Sequence, residues 1–170
     1  MRKILGIIAI GIIGITGCVS TPQPPPIPQL TQLEIRQIQA REYESANLNI
    51  AMKAVISALQ DEGFIIETAN PELGLVTAAK EIYEVDKATK NSVEFWQGVG
   101  MGTYQTTKRF ETSTTIENYG KGIRIRINIV AKAVSNSGGN IWSQPVYDAK
   151  IYQDIFSKID KSVYLEKEKI

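Results

Sequence analysis

The chain has 170 residues, 43% hydrophobic and 22% charged, which is room for one domain whose core needs neither disulfides nor metal. Its net charge is +1, and once Arg2 and Lys3 at the N-terminus are set aside 17 basic residues face 18 acidic ones, so the basic excess of a nucleic-acid binder is missing. There is no histidine and one cysteine, which excludes an intrachain disulfide, thiolate zinc clusters and Ser-His-Asp or Cys-His hydrolases, and leaves carboxylate, lysine or tyrosine chemistry open.

Arg2 and Lys3 precede an apolar run from Ile4 to Ile15. A run of about twelve residues is too short for a bilayer-spanning helix, which needs roughly 20, and fits the apolar region of a secretory signal peptide. A buried core helix is the other reading, weakened by Gly6, Gly11 and Gly14. Ile15-Thr16-Gly17-Cys18 then resembles the lipobox of bacterial lipoprotein precursors, with Ile15 where that family usually has leucine. The resemblance implies a diacylglycerol thioether on Cys18, cleavage before it and acylation of the new amino group. More than one acyl chain gives stable anchoring. Val19 stands where aspartate would imply inner-membrane retention, so the same resemblance implies the outer membrane, facing the periplasm or the surface. A free thiol is the alternative for Cys18, but it leaves an exported protein with an unexplained unpaired cysteine.

Five prolines between Pro22 and Pro28 make residues 19–32 an extended spacer, about 3.1 Å per residue and some 30 to 40 Å long. Such a segment also suits aromatic grooves as a ligand. The expected organisation is a signal peptide over 1–17, a lipidated cysteine and tether over 18–33, and one globular domain over 34–170.

Within the domain, residues 35–44 alternate imperfectly and read as a first strand. Ser45 or Asn47 caps a helix whose apolar face is Leu48, Ala51, Met52, Val55, Ala58 and Leu59, stopped by Gly63. Phe64–Ala69 and Leu75–Tyr83 are strands joined by the turn signal from Asn70 to Gly74. Residues 84–108 lack clear periodicity and read as a long loop. Arg109–Asn118 and Gly122–Ser135 are long strands, and in the second Ile123, Ile125, Ile127 and Ile129 form the core face and alternate with Arg124, Arg126, Asn128 and Val130 on the other. A Ser/Gly loop over 136–140 leads to a final helix from Pro145, with Tyr152, Ile155, Phe156, Ile159 and Val163 on one face. The order β-α-β-β-β-β-α predicts an α+β two-layer sandwich: an antiparallel sheet of four to five strands with two helices.

Arg36 to Tyr43, Ala54 to Phe64, Leu73 to Ala78, Tyr152 to Phe156 and Ser162 to Leu165 together resemble a group of small bacterial lipoproteins of unassigned function. The strand–helix–strand order is also similar to the helix-grip domains of BamC-type lipoproteins of the β-barrel assembly machinery, on fold pattern alone. Neither resemblance implies a catalytic residue set.

Phe95, Trp96, Met101 and Tyr104 are the first candidates for partner contact, since aromatics and methionine favour interaction surfaces; the alternative is that Phe95 and Trp96 fold back on the sheet as a lid. Arg124 and Arg126 suit an acidic ligand, unless cross-strand pairing with Glu111 or Glu117 occupies them. Gly98-Val99-Gly100-Met101-Gly102 invites a phosphate-loop reading but lacks the Lys-Ser/Thr that follows such loops. Asp61-Glu62, Asp148 and Asp154 read as solvated helix ends rather than acid–base pairs. The expectation is a non-enzymatic accessory or scaffold lipoprotein in a cell-envelope complex, without cofactor, metal or nucleic acid, bound to the membrane by its anchor and to an envelope protein. The rival expectation is a small-ligand carrier or enzyme with a pocket between sheet and helix.

Overall fold

The computed structural model describes residues 23–44, 46–98 and 102–168. Along them run α1 (Gln32–Gln39), β1 (Ala40–Glu44), α2 (Leu48–Asp61), β2 (Ile65–Asn70), β3 (Leu75–Tyr83), α3 (Lys87–Gln97), β4 (Gln105–Tyr119), β5 (Gly122–Ser135), β6 (Asn140–Pro145) and α4 (Ala149–Glu168). The class is α+β, an open antiparallel sheet with helices packed on it. Six strands and four helices are described, instead of four to five strands and two helices, because α1, α3 and β6 are added.

Each addition has a local cause. The first half of the expected strand at 35–44 is helix α1, because Thr31 and Glu34 form a reciprocal capping box: the Thr31 hydroxyl accepts from the Glu34 amide at 3.3 Å, and the Glu34 carboxylate accepts from the Thr31 amide at 2.7 Å. Ile35 and Gln39, four apart, are its buried residues, and only Ala40–Glu44 is extended. Gln32 and Leu33, expected in the tether, already belong to this helix. In the expected 84–108 loop, the Asp86 carboxylate accepts from the Ala88 and Thr89 amides at 3.1 and 3.2 Å and starts α3. Val93 is the one buried residue among the described side chains of α3, which is why the segment shows so little apolar periodicity. After Gly138 and Gly139, β6 pairs with the end of β5, Trp142 opposite Ala133 and Gln144 opposite Ala131.

The sheet order is β1-β5-β4-β3-β2, and β6 lies on the same edge of β5 as β1. The two short strands divide that edge, β1 taking Gly122–Arg126 and β6 taking Val130–Val134. Both helices expected from periodicity cover one face. Val55 and Leu59 of α2 and Tyr152, Ile155, Phe156 and Ile159 of α4 are buried against Ile123, Ile125, Ile127 and Ile129 of β5. Asn47 caps α2, its side chain accepting from the Ile50 amide at 2.9 Å; Ser45 lies outside the described residues. The β2–β3 turn requires Gly74: its φ is 60°, and a Cβ there would stand 2.0 Å from the Ile116 carbonyl oxygen. Helix α4 begins after Asp148 rather than at Pro145, the Asp148 carboxylate accepting from the Lys150 amide at 2.9 Å.

Candidate functional site

With α2 and α4 on one face, the other face of the sheet is left to solvent. Strand alternation and register put Arg124, Arg126, Asn128 and Lys132 of β5 there, beside Glu117, Thr115, Ser113, Glu111 and Arg109 of β4. Glu81 and Thr77 of β3, and Glu42 of β1, extend the same surface.

Ion pairs close both ends of this face. At one end the Arg109 guanidinium meets Glu67 and Glu81 at 2.7 Å each and Glu111 at 2.9 Å, and Lys132 meets Glu111 at 2.6 Å. A bulge between Ile66 and Thr68 lies where Glu67 joins the cluster. The hydrogen bond from Lys132, with Arg109 adding to it, holds the Glu111 carboxyl below its ordinary value. At the other end the Arg124 guanidinium donates to Glu42 at 3.0 Å, stands 3.5 Å from Glu117 and lies 3.4 Å above the Tyr119 ring. Cross-strand pairing therefore accounts for Arg124, with Glu117 and also Glu42, whereas Glu111 serves Arg109 and Lys132.

Arg126 differs. It is exposed, two residues along the same face, opposite Thr115 and Ala40. Among the described residues it has no ion-pair partner, although the other strand arginines (Arg41, Arg109 and Arg124) each have one. On one side its register neighbours are the exposed Ser113, Thr115 and Asn128, groups that donate and accept hydrogen bonds without carrying charge, and on the other it borders Arg124 and Glu117, which already face each other.

The aromatic candidates sit at one end of the sheet. Phe95 is 78% exposed on α3, so it does not fold back as a lid. The Trp96 side chain, Met101 and Cys18 lie outside the described residues. Tyr104 is half-buried; the Lys90 ammonium stands 5.9 Å from its ring centre, and its amide donates to Asn136 Oδ1 at 3.3 Å. The segment starting at Gly98 follows the C-terminus of α3, where carbonyls rather than free amides emerge, so it is placed opposite to a phosphate loop. Residues 99–101 are outside the described set. The paired acidic residues are helix-end groups: Lys158 reaches Glu62 at 2.7 Å, and Lys150 reaches Asp154 at 2.9 Å.

Sequence reasoning missed a groove on the helix-covered side, beyond the ends of α2 and α4. It has a volume of about 510 Å3 and is lined by Pro25, Ile27, Phe110, Ala131, Trp142 and Val146 among others. The tether forms one wall, Gln144 Nε2 donating to the Pro25 carbonyl at 3.1 Å. The indole N–H of Trp142 is enclosed and has no acceptor among the described residues. Reading 19–32 as a free spacer hid this groove; Trp142, opposite the small Ala133, was the available signal.

No protein-family model matches the chain, and no curated protein is detectably similar to it.

Proposed function

We propose that this chain is a lipoprotein held at the outer membrane through Cys18, and that its domain is a non-catalytic docking module of a cell-envelope complex. An accessory role of the kind BamC-type lipoproteins play belongs to this reading. The observation that supports it is the uncovered sheet face, where Arg126 stands among neutral hydroxyls and an amide, between two sets of satisfied ion pairs. A planar guanidinium without a partner of its own suits a carboxylate on another protein. The flanking ion pairs fix orientation more than affinity.

Recovery of partners from membranes by the full-length protein tests the reading. Arg126→Glu should reduce recovery about tenfold, equivalent to about 1.4 kcal/mol, and leave the denaturation midpoint in place because the side chain is exposed. Equal recovery by both proteins would remove this face from the contact.

A second reading, a carrier of small apolar molecules, draws on the groove beneath the tether and on the Trp142 indole, which has no acceptor among the described residues. A fluorescent fatty acid that wild type binds, and that Ala131→Trp excludes, favours the carrier over the docking module.

A further inference from the structure

The tether leaves the domain at a defined place. Gln23 and Pro25 lie in a second groove with Glu84, Asp86, Lys87 and Trp142, beside the first turn of α3. The hydrogen bond from Gln144 to the Pro25 carbonyl fixes the chain at that point. From Cys18 to Gln23 is five residues, which fully extended span about 18 Å at the upper limit of 3.6 Å per residue. The sheet itself is much longer: β4 has 15 residues, which at about 3.3 Å each carries Tyr119 some 45 Å from Gln105. A leash anchored at Cys18 is therefore long enough to bring the α3 end to the lipid surface, and too short for the sheet to stand on its β4–β5 turn at Gly120 and Lys121 with the α3 end uppermost.

Side chains at the α3 end suit that surface. Tyr83 and Phe95 are each 78% exposed, and Ile82 is 41% exposed. Aromatic rings favour the headgroup region of a bilayer, and a short helix with an exposed aromatic and lysines can lie along it. Over residues 82–108 three lysines or arginines precede Arg109, namely Lys87, Lys90 and Lys108, against Glu84, Asp86 and Glu94, so this end carries no net charge to be repelled by anionic lipid. Lys108 pairs with Glu84 at 2.8 Å and Lys90 with Glu94 at 4.0 Å.

We infer that the β3–α3–β4 end of the domain rests on the bilayer, with Phe95 and Tyr83 in the headgroup region and the sheet standing away from it. The partner of this surface is lipid, and the Arg126 face is presented sideways, parallel to the membrane plane. The inference rests on the lipid anchor at Cys18.

Site-directed spin labelling tests it on full-length lipidated protein in vesicles of phosphatidylethanolamine and phosphatidylglycerol. Lipidation consumes the thiol of Cys18, so a cysteine introduced by Asn91→Cys on α3, four residues before Phe95, or by Lys121→Cys at the far turn takes the label alone. Vesicle binding should shield the Asn91 label from a water-soluble nickel quencher and leave the Lys121 label as accessible as in solution. Phe95→Asp should return the Asn91 label toward solvent while the protein still floats with the vesicles. Flotation with both labels equally accessible overturns the orientation and leaves the anchor standing. Failure to float overturns the anchor and the orientation with it, and unchanged shielding in Phe95→Asp overturns the aromatic contact.

Discussion

Thr114 occupies a position on the helix-covered face of β4, with no solvent exposure, and its hydroxyl has no hydrogen-bond partner among the described residues. Thr112, two residues earlier and 3% exposed, is in the same state. A β-branched side chain suits the strand, so the shape is right and the desolvated hydroxyl is the cost. Thr114→Val keeps the shape and removes the hydroxyl, and should raise stability by about 1 kcal/mol. Urea denaturation checks this; a lower midpoint would mean that the hydroxyl is bonded. By contrast the equally buried Tyr152 donates its hydroxyl to the Val146 carbonyl at 2.8 Å. At this scale the sequence separated the two faces of β5 correctly, because alternation with period two is a local property. It did not distinguish Arg124 from Arg126, since Glu117 is a cross-strand candidate for both and the closer carboxylate on Arg124 belongs to Glu42, 82 residues earlier on β1.

Among the elements, those with strong apolar periodicity were legible and those started by a polar cap were not. Helix α2 shows both signals, five of its six expected face residues (Ala51, Met52, Val55, Ala58 and Leu59) being buried and Leu48 partly so. Helices α1 and α3 depend on caps, Thr31 and Asp86, and bury little. Strand β6 is six residues long between a Gly-containing loop and Pro145, too short for alternation to stand out. The dependence of α3 on its cap makes it sensitive to acid. Hydrogen bonds from the Thr89 hydroxyl and amide hold the Asp86 carboxyl below its ordinary value of 3.8. A folded-state value below the unfolded one gives stability that is present above pH 3.8 and lost as pH falls through the lowered value. Protection of α3 amides, corrected for intrinsic exchange, should therefore drop in that acid range, and in Asp86→Ala it should be low at neutral pH by about 1 kcal/mol. Asp86→Asn should retain most of the protection and lose the acid dependence. An acid transition that persists in Asp86→Asn would assign the titration to another group.

Across the whole molecule the fold has a tightly packed region and a loosely attached end. The main core joins α2 and α4 to the sheet through Val55, Leu59, Ile125, Ile127, Phe156 and Ile159. Polar contacts reinforce it, since Asp160 of α4 accepts from Arg41 and, at 2.8 Å, from the Tyr43 hydroxyl of β1. Val93 is buried but stands outside this cluster, and it is the only buried residue among the described side chains of α3. Segments with little buried apolar area open with a smaller free energy than the core, so α3 should exchange its amides by local opening and β5 by global unfolding. Leu59→Ala separates the two. Leu59 is fully buried, and truncating a core leucine costs roughly 2–5 kcal/mol, which should appear in full at the β5 amides of Ile125 and Ile127. Amides of α3 should keep their wild-type protection, because their opening does not disturb Leu59. If α3 and β5 lost protection equally, the molecule would be a single cooperative unit.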